Sequence, residues 1–283
     1  MKKIKVAGIP MNSGGFYTGA ETTPKILREA GLMEALEKTG VNVLDMGDVM
    51  IPSYIPRHNV PPIRNWPGPR VVWEEMYHQS KDWFNEDELM LLLGGDCSIV
   101  TGTMHSLYRK YAEDIHLIVI DAHIDAYKPS ADRCLGAAGM GLWFLLEEND
   151  FMNSLKGFSG SNVTIVGYQH ESEIDQDVRK HSLSELREKG LRQVMQQVLS
   201  EIPQNRKIMV HLDIDAISKE ELHAVYSPSD TGLSMLEATN LLREILADTR
   251  TAGIEITEFF PPYDGDGSQA KKLINMVAEI VSE

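Results

Sequence analysis

The chain alternates, from one end to the other, short β-branched runs with longer amphipathic segments, and few folds accept such a pattern. The strand-like runs are KIKVAGI (3–9), VNVLDM (41–46), LMLLLGG (89–95), HLIVIDAH (116–123), NVTIVGY (162–168), KIMVHLDID (207–215) and AGIEITEF (252–259), with a weaker eighth at VRKHSL (178–183). Helical spacing of apolar residues fills the gaps: residues 24–40, opened by a proline in the first turn, then 98–113, 184–202, 234–248 and 268–283. Strands separated by helices must run parallel, and a parallel sheet needs helices on both faces. The expected fold is therefore α/β: a three-layer α/β/α architecture around a mainly parallel sheet of about eight strands. No repeat or Gly/Ser linker interrupts the pattern, so residues 1–283 are read as one domain. The proline-rich piece SYIPRHNVPPIRNWPGPR (53–70) is the long irregular segment, expected at the sheet's edge or over a site.

Bulk properties narrow the function classes. No apolar stretch approaches the roughly 20 residues of a membrane span, and Met-Lys-Lys runs directly into a strand, not a signal-peptide core. The expectation is a cytoplasmic protein with no membrane partner. Cys97 and Cys134 are too few for a disulfide framework and would be thiols in a reducing compartment. The formal charge of −15, from 42 acidic against 27 basic residues, argues against nucleic acid as a partner. It suits a cationic substrate, although an acidic surplus also serves solubility alone. Oligomeric state stays open, with a homo-oligomer among the forms allowed.

The residues that carry chemistry gather at strand ends, where ligands bind in open parallel sheets. LLLGG delivers Asp96 and Cys97; HLIVI delivers Asp121, His123 and Asp125 at period two; KIMVHL delivers Asp213 and Asp215 at period two; AGIEIT delivers Glu258. Each alone is weak, because an aspartate after a strand is commonly a helix cap or a solvated turn. Convergence of such acids at one edge would cost several kcal/mol in repulsion unless cations neutralised it. Two divalent ions sharing carboxylates would do so, and two ions roughly 3.5–4 Å apart can generate a hydroxide nucleophile between them. Asp and His donors suit Mn²⁺ or a similar borderline ion.

GGDCS (94–98), DAHID (121–125), LDID (212–215) and EITEFFPP (255–262) resemble, in order, the motifs of the ureohydrolase superfamily of arginases and agmatinases. The opening VAGIPMNSGG and GAETTPKILREAGL are similar to that family's amino-terminal segment, so the resemblance spans nearly the whole chain. It implies two divalent metal ions, Mn²⁺ first, held by Asp121, His123, Asp125, Asp213, Asp215 and the residue at position 97. It also implies that Glu258 pairs with a substrate guanidinium and that Asp125 orients the attacking hydroxide.

The family's Gly-Gly-Asp-His-Ser is Gly-Gly-Asp-Cys-Ser here, so Cys97 stands in a histidine's place. As a thiolate ligand it would shift preference towards Zn²⁺, Fe²⁺ or Co²⁺; as a neutral thiol it would leave one ion weakly held; as a buried hydrophobe it would mark a site that has lost function. Ligation is favoured, because the other five ligand positions are filled. Ala138 falls where arginases keep a proton-shuttling histidine, and Tyr127, Cys134 and Gly136 fall where they hold the α-carboxylate of free arginine. His170, which opens HESEID (170–175), follows a strand end and is a candidate replacement proton donor, with a charged surface loop as the plainer reading. His105 and His116 are read as structural.

The leading expectation is a metal-dependent ureohydrolase that cuts a guanidino carbon–nitrogen bond to urea and an amine. Its expected substrate is an arginine side chain within a peptide, converted to ornithine. The alternatives are a non-catalytic metal-binding protein and a hydrolase of a related formimino, amide or small guanidino compound on the same fold.

Overall fold

The computed structural model describes residues 3–282 of the 283-residue chain. Met1 and Lys2, on which the expected leaderless start rests, and Glu283, the end of the expected last helix, lie outside the described residues. The strands are β1 (Lys3–Gly8), β2 (Asn42–Asp48), β3 (Glu88–Leu93), β4 (Ile115–Ile120), β5 (Val163–Tyr168), β6 (Arg179–Ser182), β7 (Lys207–Asp213) and β8 (Thr251–Thr257). They form one sheet in the order β2-β1-β3-β8-β7-β4-β5-β6, and every pairing is parallel. The weak eighth segment is thus the edge strand β6. β4 is buried at all six positions whereas β2, at the opposite edge, is largely exposed, which explains why central strands read as unbroken apolar runs.

The helices are α1 (Thr23–Glu29), α2 (Leu32–Glu37), α3 (Gly68–Gln79), α4 (Ile99–Tyr111), α5 (Gly141–Leu146), α6 (Leu183–Lys189), α7 (Leu191–Glu201), α8 (Met235–Leu246) and α9 (Ser268–Val281). α3, α4 and α5 pack together on one face of the sheet. The remaining helices cover the other, where α8 and α9 turn Leu241, Leu242, Ile245, Leu273, Ile274, Val277 and Ile280 inward at helical spacing. Ser234 and Glu237 close a reciprocal capping box at the start of α8, with bonds of 3.1 and 2.8 Å, worth about 1 kcal/mol. No helix among the described residues is long and apolar enough to cross a membrane.

Two expected helices prove to be pairs. Residues 24–40 break at Gly31 (φ 97°) and 184–202 break at Gly190 (φ 90°), a left-handed conformation that ends one helix and redirects the next. The proline-rich excursion is irregular only to Pro67, because α3 starts at Gly68. Trp66 stacks on Phe144 at 6.1 Å, and Asn65 Nδ2 donates to the Ser13 carbonyl at 3.0 Å, so the excursion packs beside the loop that follows β1.

Candidate metal centre

Four strands that are neighbours in the sheet, β3, β8, β7 and β4, end at the same edge and carry the acids with them. Two glycines bring the first of these ends close. A Cβ on Gly95 would lie 1.8 Å from the Met11 carbonyl oxygen, so only glycine lets the turn after β3 touch the segment after β1. Asp96, buried, then accepts from the Gly14 amide at 2.9 Å and from Ser98, which fixes the loop and leaves Cys97 at its tip.

Side-chain donor atoms of Cys97, Asp121, Asp125 and Asp213 lie within 4.8 Å of one another, and so do those of Asp121, His123 and Asp215. The two sets share Asp121, as a pair of adjacent ions bridged by a carboxylate requires. The expected period-two geometry is not what achieves this. Extended structure stops at Ile120, Asp125 sits in the left-handed region (φ 50°), and a 3-10 turn over Ile214–Ala216 follows β7. Backbone amides replace the pleat as the organising element. His123 N donates to Asp121 Oδ1 at 2.6 Å, Ala122 N to Asp215 Oδ1 at 3.2 Å, and Asp215 N to Asp213 Oδ1 at 2.8 Å. Each bond holds one carboxylate oxygen and aims the other inward. Cys97 Sγ donates to Asp213 Oδ2 at 2.8 Å and is 3.2 Å from Thr257 Oγ1.

The electrostatics show what the protein alone cannot neutralise. Burial first, and then repulsion from neighbouring carboxylates, pushes Asp125, Asp213 and Glu258 well above the usual carboxylate range. Asp215 is raised to about 6 by burial and Asp121, even though His123 Nδ1 pairs with it at 2.9 Å. His123 is pushed up to about 12 by its hydrogen bonds to Asp121 and Asp215. Burial, with Asp213 and Glu258 nearby, pushes the Cys97 thiol up. The one imidazolium of His123 does not offset this concentration of acids; two divalent ions would balance the four aspartates. Asp121 Oδ2 is buried with no hydrogen-bond partner, a cost of about 1–3 kcal/mol that a coordinated ion would remove. The donors present therefore fit a pair of divalent ions.

Glu258 sits apart from these sets. It follows β8 in the left-handed region (φ 65°), its Oε1 accepts from Cys97 N at 2.7 Å, and its buried Oε2 has no partner. His170 is exposed, with its ring stacked 5.1 Å from that of His123 at the mouth. Two of the acids after it form surface pairs instead: Glu171 with Lys180 at 2.9 Å and Asp175 with Lys128. His105 and His116 bond within their own surroundings, to the carbonyls of Thr101 and Asn153 and to Thr164 Oγ1 respectively.

The mouth is built from the loop after β1 and the segment after Asp125. Tyr226 Oη accepts from the amides of Phe16 and Tyr17, and Ala138 N donates to the Gly14 carbonyl at 3.2 Å. A Cβ on Gly136 would meet that carbonyl at 2.4 Å, so no side chain can project there. Phe16, Tyr17 and Tyr127 are exposed aromatics at this rim. Sequence reasoning missed His211, Glu255 and Thr103, which lie directly beneath the cluster. His211 precedes Asp213 by two residues in β7, and that spacing was the signal available.

An all-parallel three-layer sheet with carboxylate clusters at the ends of its central strands defines a metallohydrolase architecture with room for two ions. Residues 2–282 match the Arginase family, and the chain belongs to that family, among the metal-dependent ureohydrolases. It is 24% identical to the arginase of Brevibacillus brevis over 297 aligned positions, covering 100% of this chain and 98% of that one. Arginase-1 of Bos taurus is 25% identical over 298 positions, covering 99% and 91%. The crystal structure of arginase from Bacillus cereus superimposes with a TM-score of 0.85 at 25% identity, covering 100% of this chain and 99% of that one. Family membership implies a binuclear divalent metal centre.

Proposed function

We propose that the chain hydrolyses the guanidino group of an arginine side chain whose α-amino and α-carboxylate ends are already in amide bonds, releasing urea and leaving a peptidyl ornithine. The observation that carries the reading is the juxtaposition of the two donor sets, joined through Asp121, with Glu258 and its unpartnered buried Oε2. A planar cation that donates N–H groups satisfies that oxygen and the charge together.

Asp121, His123 and Asp215 would hold one ion, and Cys97, Asp121, Asp125 and Asp213 the other, with Mn²⁺ the first expectation. Divalent ions held by these residues would supply a water of pKa lowered towards neutrality. Glu258 holds the guanidinium through Oε2 and keeps its carbon in line with the nucleophile. Asp125, held in the left-handed region, orients the attacking hydroxide. His170, over the His123 ring, delivers a proton to the departing amine where Ala138 has none to give.

The preference for blocked ends rests on the rim. Gly136 is shut against Gly14 and Tyr127 presents an exposed ring, so neither place offers a charged group to a free amino-acid carboxylate. Urea release is measured with free arginine, agmatine and an arginine-containing peptide at equal concentration. The peptide is expected to react fastest. A clear preference for free arginine would refute the substrate assignment, and no urea from any of them would favour a non-catalytic metal-binding protein.

A further inference from the structure

We propose that His211 is a metal ligand: its imidazole, rising from β7, completes the coordination of the ion held by Cys97, Asp121, Asp125 and Asp213. The inference rests on the binuclear reading above and adds a donor to it. Ligand atoms of Cys97, Asp121 and His211 lie within 4.8 Å of one another, so His211 joins the same cluster as the first donor set, sharing two of its members. His211 also faces a small cavity of about 10 Å³ together with Cys97, Asp121 and Asp125.

The residues around His211 assign its two ring nitrogens. Nδ1 donates to Glu255 Oε1 at 2.6 Å, and Glu255 stands beside it in register on β8. Thr103 Oγ1 of α4 donates to the other oxygen of Glu255, so the carboxylate is held from two sides. With Nδ1 protonated, Nε2 carries the lone pair that can bind a cation. A carboxylate behind a histidine in this way fixes the tautomer and raises the basicity of the coordinating nitrogen.

A purely structural reading accounts for less. His211 is 3% exposed and Glu255 is fully buried, and a hydrogen-bonded polar pair in the middle of a sheet is often no more stable than apolar residues of the same volume. Placed two residues before Asp213 on the same strand face, the pair gains a purpose as a support for the ion. Charge gives a further reason. A thiolate at Cys97 would add a fifth negative charge to the four clustered aspartates, whereas an imidazole supplies a strong donor without one. Nitrogen ligation from β7 therefore offsets the lack of an imidazole at position 97.

The test uses the whole chain loaded with Co²⁺ or Mn²⁺ alone. In the Co²⁺-loaded protein, proton NMR is expected to show two exchangeable, far-shifted histidine ring N–H signals, from His123 and His211, and His211→Ala should keep one. Equilibrium dialysis against Mn²⁺ should show that His211→Ala weakens one of the two ions by more than the roughly 10–100-fold expected on losing an outer partner. Glu255→Gln, which keeps shape and packing, should weaken the same ion within that range. Cys97→His in the His211→Ala background should restore tight binding of both ions. If His211→Ala fails to fold, the count of shifted signals in the unmodified protein decides alone. One shifted N–H in that protein, or a folded His211→Ala with both ions at full affinity, overturns the proposal while leaving the hydrolase reading intact. A protein that binds no divalent ion overturns both.

Discussion

Removing the divalent ions should reverse the way stability depends on pH. In the metal-free fold Asp215 titrates at about 6 against an ordinary 3.8, so the folded chain binds its proton more tightly than the unfolded chain does. A raised carboxyl contributes stability that is fully present below the unfolded pKa and is lost as pH rises through the folded one. The shift of roughly 2 units corresponds to about 3 kcal/mol, of which about 1.4 kcal/mol disappears between pH 5 and 8. His123, raised from 6.5 to about 12, acts with the same sign, and its share declines as pH rises above 6.5. Glu88, lowered from 4.5 to about 2, acts with the opposite sign, but that change is nearly complete below pH 5, whereas His116, lowered from 6.5 to about 3 by burial, gains about 2 kcal/mol across the window and offsets the share of His123. A net loss of about 1.4 kcal/mol is expected to lower Tm by about 3–6 °C between pH 5 and 8. With Mn²⁺ bound the slope should turn positive, because the ions require the deprotonated carboxylates. Thermal melts of chelator-stripped and Mn²⁺-loaded protein across that range provide the check, and calorimetric titration in buffers of different ionisation enthalpy counts the protons released. Stripped protein whose Tm is flat or rises with pH, or metal binding without proton release, would refute the charge argument.

Asp213→Ala removes a carboxylate from the first donor set and should leave at most one ion per chain by elemental analysis. Cys97→Ala should weaken one ion and Cys97→His should retain both; unchanged metal content in Cys97→Ala would remove the thiol from the coordination shell. Glu258→Gln should lower kcat/KM by about 10–150-fold, the kinetic equivalent of a charged hydrogen bond of about 1.5–3 kcal/mol, with metal content unchanged. Gly95→Ala drives a methyl to 1.8 Å from the Met11 carbonyl oxygen and should cost several kcal/mol in a denaturant melt, because neither backbone can retreat.

Alternation made the sheet legible, since buried parallel strands carry unbroken apolar runs that helices must separate. Eight strands stand where the pattern places them, down to β6, whose half-buried RKHS is the weakest signal. The helix breaks at Gly31 and Gly190 were harder to read, because a glycine inside a periodic run lowers helix propensity by only about 1 kcal/mol and packing decides whether the chain turns there. α5 was missed because six residues, GLWFLL, are too few to display a period. Strand ends announced the acids, but not how they meet. The left-handed Asp125 and the turn after Asp213 take their shape from amides of neighbouring segments, which a local period does not encode. His211 escaped notice because, inside an apolar strand, a histidine reads as core until Glu255 of the neighbouring strand is placed beside it.

The same neighbour effects separate two kinds of acid at this edge. Asp121, Asp125, Asp213 and Asp215 each belong to a donor set, whereas Glu258, although buried among them, belongs to none. Its backbone explains the exclusion. Glu258 N donates to the Gly95 carbonyl at 2.9 Å, its own carbonyl accepts from Tyr226 N at 3.0 Å, and Cys97 N holds Oε1. Pinned at three points, in a conformation that costs a non-glycine residue about 1 kcal/mol or more, the side chain cannot swing to meet an ion. One oxygen remains, with burial and Asp96 raising the cost of leaving it charged and bare. A group able to relieve that cost must be cationic, able to donate hydrogen bonds, and small enough to pass the rim of Phe16, Tyr17 and Tyr127. Tyr226 ties the rim to the acid, because the residue whose amide holds the Glu258 carbonyl also holds Phe16 and Tyr17 through its hydroxyl. The geometry that denies Glu258 to the metals is thus the geometry that leaves its free oxygen to a hydrogen-bond-donating cation, as the proposed guanidinium would be.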